Sequence, residues 1–246
     1  MGDSKTHFGF REVNRADKRK LVDEVFSSVA NRYDLMNDLM SLGLHRLWKW
    51  IATAACGIGP NMRVLDLAGG TADMAIRIKP FMQAKGLLTV ADINHAMLLE
   101  GQNRLFDLGY ADVPFVRCDA ENLPFLDHSF DCVVVAFGLR NMSSKQAALG
   151  SILRALKPAG RLVVLEFSEP HAWLKRLYHW YSFNVIPKLG DCVTGDEGSY
   201  RYLVESIRVH PNQQALREMI IQSGFANCEI FNLSGGIVAI HRAYKP

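Results

Sequence analysis

Val64-Leu-Asp-Leu-Ala-Gly-Gly-Thr-Ala-Asp73 decides how the rest of the chain reads. Val64 to Leu67 is an apolar run of strand length with one acid, Asp66, inside it. Ala68-Gly69-Gly70 cuts the run, and a helical pattern follows from Asp73 to Phe81. Strand, glycine turn and helix start together open a βα unit. The same rhythm recurs outward. Leu87 to Ala91 ends in Asp92 and precedes a helix around His95 to Leu105. Val113 to Arg117 ends in Cys118-Asp119, Phe130 to Phe137 precedes a helix over Ser144 to Leu156, and Arg161 to Phe167 makes a fifth strand. Runs as apolar as Cys132 to Phe137 suit a parallel sheet covered on both faces. The tail reads helix (Gln213 to Ser223), strand (Cys228 to Phe231) and strand (Gly236 to His241). The pattern predicts a doubly wound α/β sheet of seven strands, mostly parallel, in one domain over 1–246. The first sixty residues read mostly as helix, a cap over 1–60, and 169–208 reads as a lid insertion after the fifth strand.

Composition narrows the class. The 246 residues are 49% apolar and 22% charged, an ordinary globular balance, and the net charge of +3 gives no basic excess for nucleic acid. The five cysteines (Cys56, Cys118, Cys132, Cys192, Cys228) are odd in number and form no CxxC pair, which argues against a disulfide scaffold or a zinc site. Reduced thiols suit the cytoplasm. No two of the eight histidines stand at ligand spacing on one helix, so no metal is expected. No apolar run reaches the ~20 residues that span a bilayer. The polar start, Met1 to His7, makes a secretory leader unexpected.

In a doubly wound sheet, ligands bind at the carboxyl ends of the strands, where strand order reverses. The polar punctuation points fall there: Asp66 with Gly69, Gly70 and Thr71 after the first strand, Asp92 after the second, Asp119-Ala120 after the third, and Gly138-Leu-Arg-Asn141 after the fourth. A glycine turn lets backbone approach a ligand ahead of a helix N-terminus. Asp92, about twenty residues further on, is placed to accept the two hydroxyls of a ribose. The G-x-G-x-x-G dinucleotide fingerprint is absent, and a pyrophosphate would sit poorly beside Asp66 and Asp73. A cofactor carrying a sulfonium and an ammonium would be attracted by those carboxylates. S-adenosylmethionine fits better than NAD.

Longer stretches carry a family likeness. Tyr33-Asp-Leu-Met-Asn-Asp-Leu-Met-Ser-Leu-Gly-Leu-His-Arg-Leu-Trp-Lys49 and Arg154-Ala-Leu-Lys-Pro-Ala-Gly-Arg-Leu-Val-Val-Leu-Glu-Phe-Ser168 closely resemble the two signatures of the ubiquinone/menaquinone biosynthesis C-methyltransferases. Phe137 to Asn141, Ser199 to Leu203 and Ser206 to Arg208 match as well, so the resemblance covers nearly the whole chain. It implies a Rossmann-like class I methyltransferase that uses S-adenosylmethionine to methylate a ring carbon of a polyprenylated quinol. The candidates are 2-polyprenyl-6-methoxy-1,4-benzoquinol, demethylmenaquinol, or both. It also implies that Thr71, Asp92, Asp119 and Ala120 hold the cofactor, with Asp92 on the ribose and Asp119 and Ala120 on the adenine. Two positions depart from the family pattern: Ala72 and Ala159 stand where glycine is usual, and Ala72 is tolerable only with negative φ. Ala136 stands where relatives carry serine, so no cofactor contact is carried over to it. A homodimer, contact with other quinone-biosynthesis enzymes and peripheral contact with the inner face of the membrane stay open. Nucleic acid is not an expected partner.

Carbon methylation of a quinol is assisted when a ring hydroxyl ionises. A phenol with pKa about 10 is ionised roughly one part in a thousand at neutral pH, a deficit of ~4 kcal/mol. A nearby cation recovers part of that. Arg140, which does not lose its proton, is the candidate for stabilising the phenolate, with Asn141 on the ring oxygen or fixing Arg140. The alternative for Arg140 is a structural ion pair to a lid carboxylate. Tyr33, Asn37 and His45 are candidates to close over cofactor or quinol, while Met36, Leu39, Met40, Leu44, Leu47 and Trp48 read as core at helical spacing. In 171–187, Trp173, Leu174, Leu177, Trp180 and Tyr181 would form one apolar helix face beside Lys175 and Arg176, the pattern of a segment lying in the headgroup zone, or else of a core helix. A methyltransferase for RNA or protein would want a broad basic surface or an N/D-P-P-Y type loop after the fourth strand, where this chain has Phe137 to Asn141. A non-catalytic scaffold would not need the cofactor residues to be present.

Overall fold

The computed structural model describes residues 5–29, 37–38, 41–185 and 197–246. A central sheet is built from β3 (Arg63–Leu67), β4 (Leu87–Asp92), β5 (Phe115–Arg117), β6 (Phe130–Ala136), β7 (Leu156–Phe167), β8 (Asn227–Leu233) and β9 (Val238–Tyr244). Its order is β5-β4-β3-β6-β7-β9-β8. The strands β3 to β7 run parallel, while β9 pairs antiparallel with both β7 and β8. The expected seven-stranded, mostly parallel, doubly wound sheet is the one observed.

The apolar runs explain the two layers. Cys132 to Val135 and Leu162 to Leu165 are fully buried, and alternate residues belong to clusters on opposite faces of the sheet. One face is covered by α2 (Leu44–Cys56), α3 (Asp73–Ile78) and α4 (His95–Asp107), the other by α5 (Lys145–Ala155) and α8 (Gln213–Gln222). Three of these helices start on side-chain caps: Asn94 accepts from Met97 N, Ser144 from Ala147 N and Asn212 from Ala215 N. Each such cap stabilises its helix by about 1 kcal/mol. Strand order reverses between β3 and β6, so the ends of β3, β4 and β6 open onto one cleft.

The N-terminal region differs from the helical expectation. It begins with an antiparallel hairpin, β1 (Lys5–Phe8) and β2 (Arg11–Asn14), before α1 (Arg15–Val29). Phe8, at the end of β1, stacks on Tyr202 with ring centroids 4.2 Å apart. Tyr202 belongs to α7 (Glu197–Val209), which also buries Tyr200, Leu203 and Val204. The hairpin and the segment after β7 thus share one small core. Helix α2 buries Trp48, as its spacing suggests, but leaves Leu44 and Leu47 exposed against the core reading. Its apolar stripe is wider than the surface it packs on. Met36, Leu39 and Met40 lie outside the described residues.

Candidate functional site

The cleft encloses about 1030 Å³ of empty space, open to solvent. Its floor is the turn after β3. Gly69 lies so close to Asp66 and Val90 that a Cβ there would stand 2.9 Å from Asp66 Cγ and 2.8 Å from Val90 Cγ1. Gly70 has φ +49°, and its N–H donates to Asp92 Oδ2 at 2.9 Å. Two non-glycine residues lining the same cleft, Ala68 and Phe137, also hold left-handed φ, as does Ala72, buried between the lining residues Thr71 and Asp73. Strain of this kind costs about 1–3 kcal/mol per residue and gathers at functional sites. Ala72, at φ +61°, departs from the negative value its methyl prefers.

Four acids line this floor and the neighbouring strand ends. Asp92 Oδ1 accepts from Asn94 N and Oδ2 from Gly70 N, the Ile93 amide also favours the charged form, and the carboxylate keeps room for a further donor. Burial raises its pKa against the pull of those amides. Asp66 is fully buried: Oδ2 accepts from Ala75 N at 2.9 Å, while Oδ1 has no partner among the described residues. Burial pushes its pKa up to about 7. Burial also works against the charge on Asp73, but Lys49, Arg77 and Arg104 hold its carboxyl below the usual range. Asp119 caps the short turn at Ala120–Asn122 through Glu121 N. Its other oxygen pairs with Arg19 of α1 at 2.8 Å, and Arg19 also reaches Glu121.

Helix α1 forms the outer wall with Arg19, Val22, Asp23 and Phe26. Asn94 Nδ2 donates to Asp23 and Ser27, tying that wall to the end of β4. Lys18, buried beside it, donates to the Met142 carbonyl at 2.9 Å, and burial lowers its pKa to about 7.

Among the residues singled out from the sequence, Asp66, Gly69, Gly70, Thr71, Asp92, Asp119, Ala120 and Asn141 all line this one cleft. Ala136 lines it too. Arg140 does not. Its Nη1 donates to Glu166 Oε1 at 2.8 Å and to the Phe137 carbonyl, its own N–H donates to Glu166 Oε2, and its guanidinium lies over the Phe167 ring. The partner is a carboxylate at the end of β7 rather than one in the lid. Asn141 Oδ1 instead accepts from Tyr202 Oη at 3.0 Å. His45 is buried against Asp38, with Nε2 2.8 Å from Oδ1, and Asn37 lends its carbonyl to Ser41 Oγ. Neither is a cleft-lining residue, and Tyr33 lies outside the described residues. Sequence reasoning missed Lys49, Arg19 and Asn94. Lys49 falls on the buried stripe Trp48-Lys49-Ala52-Thr53-Cys56 of α2, and a lysine on such a stripe was the available signal.

This sheet order, with a glycine floor and acids at the ends of β3, β4 and β5, defines a class I methyltransferase fold built for an adenosyl cofactor that carries positive charge. At its floor, Asp66 Oδ1 has no partner among the described residues and the Asp92 carboxylate is only partly used. Solved structures agree on the fold. A methyltransferase from Thermotoga maritima matches with TM-score 0.66 and 18% identity, covering 92% of this chain and 100% of its own. The [4+2]-cyclase SpnF matches with TM-score 0.65 and 18% identity over 92% and 95%. A fold shared with a cyclase fixes no reaction.

The family does fix it. Residues 13–245 match the ubiE/COQ5 methyltransferase family, and the chain belongs to that family. The chain is 51% identical, over the full length of both, to the ubiquinone/menaquinone biosynthesis C-methyltransferase of Methylococcus capsulatus. It is 52% identical to that of Coxiella burnetii, covering 99% and 98%. It is an S-adenosylmethionine-dependent C-methyltransferase.

Proposed function

We propose that the cleft binds S-adenosylmethionine beside a polyprenylated benzoquinol or naphthoquinol, and that the enzyme methylates a ring carbon of that quinol. The full-length identity of 51% to relatives named for this reaction in ubiquinone and menaquinone biosynthesis carries the reading. When bound, the cofactor supplies an electrophilic sulfonium methyl. Asp92 takes the ribose hydroxyls, Asp119 and Ala120 meet the adenine, and Thr71, Gly69 and Gly70 shape the floor. Asp66 and Asp73 place negative charge near the cationic end, where the walls exclude water and strengthen the attraction. Asn141, oriented by Tyr202, hydrogen-bonds a ring oxygen of the quinol through its amide. Arg140 acts at one remove in this reading, as a positioning residue: with Glu166 it sets the 137–141 turn from which Asn141 projects.

The prenyl tail calls for an apolar route, since each exposed methylene costs about 0.8 kcal/mol in water. Trp173 (76% exposed) and Trp180 (59%) project from α6 (Ala172–Asn184), and Leu47 and Trp50 are exposed on α2. Both helices abut the 234–236 turn: Trp48 donates to Ser234 Oγ, and the His171 N–H donates to the Gly235 carbonyl. We assign this face to reversible docking on the cytoplasmic leaflet. No helix among the described residues is long and apolar enough to cross a membrane.

Incubation with methyl-labelled S-adenosylmethionine and short-tailed forms of both quinols, with mass spectrometry of the rings, tests the reaction. Label on a ring carbon of either is the expected result, and no transfer to either overturns the reading. The double variant Trp173→Ser/Trp180→Ser tests docking. Unchanged liposome co-sedimentation and an unchanged preference for long tails in the folded variant would refute it.

A further inference from the structure

Lys49 presents a buried cation with donors to spare. Its ammonium lies 2.6 Å from Asp73 Oδ2, with the side chain 5% exposed, at the inner wall of the cleft. An ammonium carries three N–H donors. Among the described residues the bond to Asp73 is the one hydrogen bond this ammonium makes, so two donors of a buried charge meet no acceptor among them. Groups of that kind are costly to leave unmatched.

Asp66 shows the complementary deficit. Oδ1 is buried without a partner among the described residues, and Gly69 passes so close over the carboxylate that a side chain there would collide with it. Spare cationic donors and a spare acidic acceptor thus occur at the same end of the cleft, next to the β3 turn. That pairing complements a zwitterion, an ammonium and a carboxylate on one carbon. The other cation on the wall, Arg19, is engaged with Asp119 and Glu121 near the third strand of the parallel set.

We propose that Lys49 binds the α-carboxylate of the methionyl end of S-adenosylmethionine while the α-ammonium faces Asp66. This rests on reading the cleft as the cofactor site and adds a residue to it. Asp73 then positions Lys49, taking one of its donors and holding the ammonium against the cleft wall. The negative charge of Asp73 also keeps Lys49 from being an isolated buried cation before the cofactor arrives.

Calorimetric titration of the whole chain with three ligands tests this. S-adenosylmethionine has both charged groups on its α-carbon, decarboxylated S-adenosylmethionine lacks the carboxylate, and methylthioadenosine lacks both groups and the sulfonium. The wild-type chain should bind S-adenosylmethionine at least tenfold more tightly than the decarboxylated form. Lys49→Met should lose that preference, weakening the parent cofactor tenfold or more and leaving methylthioadenosine within twofold. Lys49→Arg should restore part of it. Where Lys49→Met fails to fold, Lys49→Met/Asp73→Asn removes both charges together and should show the same loss of preference. Equal weakening of all three ligands would make Lys49 a structural support and overturn the proposal, as would a wild-type chain indifferent to the carboxylate. A wild-type chain that binds none of the three would overturn the cofactor reading itself.

Discussion

Arg140 and Glu166 face each other inside the protein, Nη1 2.8 Å from Oε1, with side chains 3% and 1% exposed. The parallel register that sets Ala136 beside Leu165 brings the ends of β6 and β7 together and makes the pair. Removing one partner of a buried ion pair leaves an uncompensated charge and costs about 3–5 kcal/mol. Arg140→Leu should therefore lower the melting temperature by roughly 10 °C at about 2–4 °C per kcal/mol. Arg140→Met/Glu166→Leu, which removes both charges, should recover most of the loss. Thermal unfolding of the two variants checks this, and a wild-type Tm in Arg140→Leu would sink it.

The same pair separates two roles for Arg140 in turnover. A guanidinium that stabilises a phenolate directly would matter less at high pH, where the quinol ionises unaided. One that positions the 137–141 turn gives a defect that does not vary with pH. The kcat of Arg140→Lys should accordingly fall by a similar factor at pH 7 and pH 9. A defect that shrinks as pH rises would return Arg140 to the substrate.

Asp92→Ala should raise the S-adenosylmethionine Kd at least tenfold, because two ribose hydroxyls lose a shared charged acceptor. The carboxylate also fixes the floor through Gly70 N and Asn94 N, so the loss should exceed what the hydroxyls alone would cause. Calorimetry on the folded variant measures it. Unchanged affinity would remove Asp92 from the site.

The strands were legible because burial on both faces leaves an unmistakable apolar run, as in Cys132 to Val135. The cleft acids were legible because the parallel strands β3 to β7 put their carboxyl ends on one side. The hairpin at Lys5–Phe8 and Arg11–Asn14 was not, since its strands are four residues long and largely exposed, with Phe8 as their buried anchor. Arg140 shows another limit. Sequence places it just beyond β6, but the direction of its side chain depends on Glu166, 26 residues later, on the neighbouring strand. Lys49 was hidden in the same way, because its partner Asp73 belongs to a different helix. Leu47 illustrates the reverse case: spacing shows that a stripe is apolar and says nothing about what covers it.

Two alanines offer a test of backbone strain. Ala159 sits at φ +59° and is exposed, while Ala72 sits at φ +61° and is fully buried. The left-handed conformation costs a non-glycine residue about 1–2 kcal/mol, part of which glycine returns through its freer unfolded state. Ala159→Gly should raise Tm by about 2–4 °C, corresponding to a net gain near 1 kcal/mol. Ala72→Gly should gain less, because it also removes a buried methyl worth about 0.8 kcal/mol. Differential scanning calorimetry of both variants decides. A lower Tm for Ala159→Gly would show that its turn tolerates the methyl without strain.

Asp66 should link pH to both stability and cofactor binding. Burial sets its folded pKa at about 7, against about 3.9 for an aspartate in the unfolded chain. Between those values the folded protein holds a proton that the unfolded chain has released, so stability contributed at this site falls as pH rises from about 4 to 7 and levels off above. Asp66→Asn, which cannot titrate, should lack that slope in a series of thermal melts of the free protein. A cationic ligand reverses the preference, since an ammonium facing Oδ1 favours the charged carboxylate. Binding of S-adenosylmethionine below pH 7 should then release a proton, and its Kd should rise as pH falls from 7 to 5.5, approaching tenfold per unit. Calorimetry in buffers of different ionisation enthalpy counts the proton directly. Asp66→Asn should bind more weakly at pH 8 and show neither the slope nor the release. A wild-type Kd that is flat over this range, with no proton released, would mean that Asp66 stays in one ionisation state throughout and does not receive the ammonium.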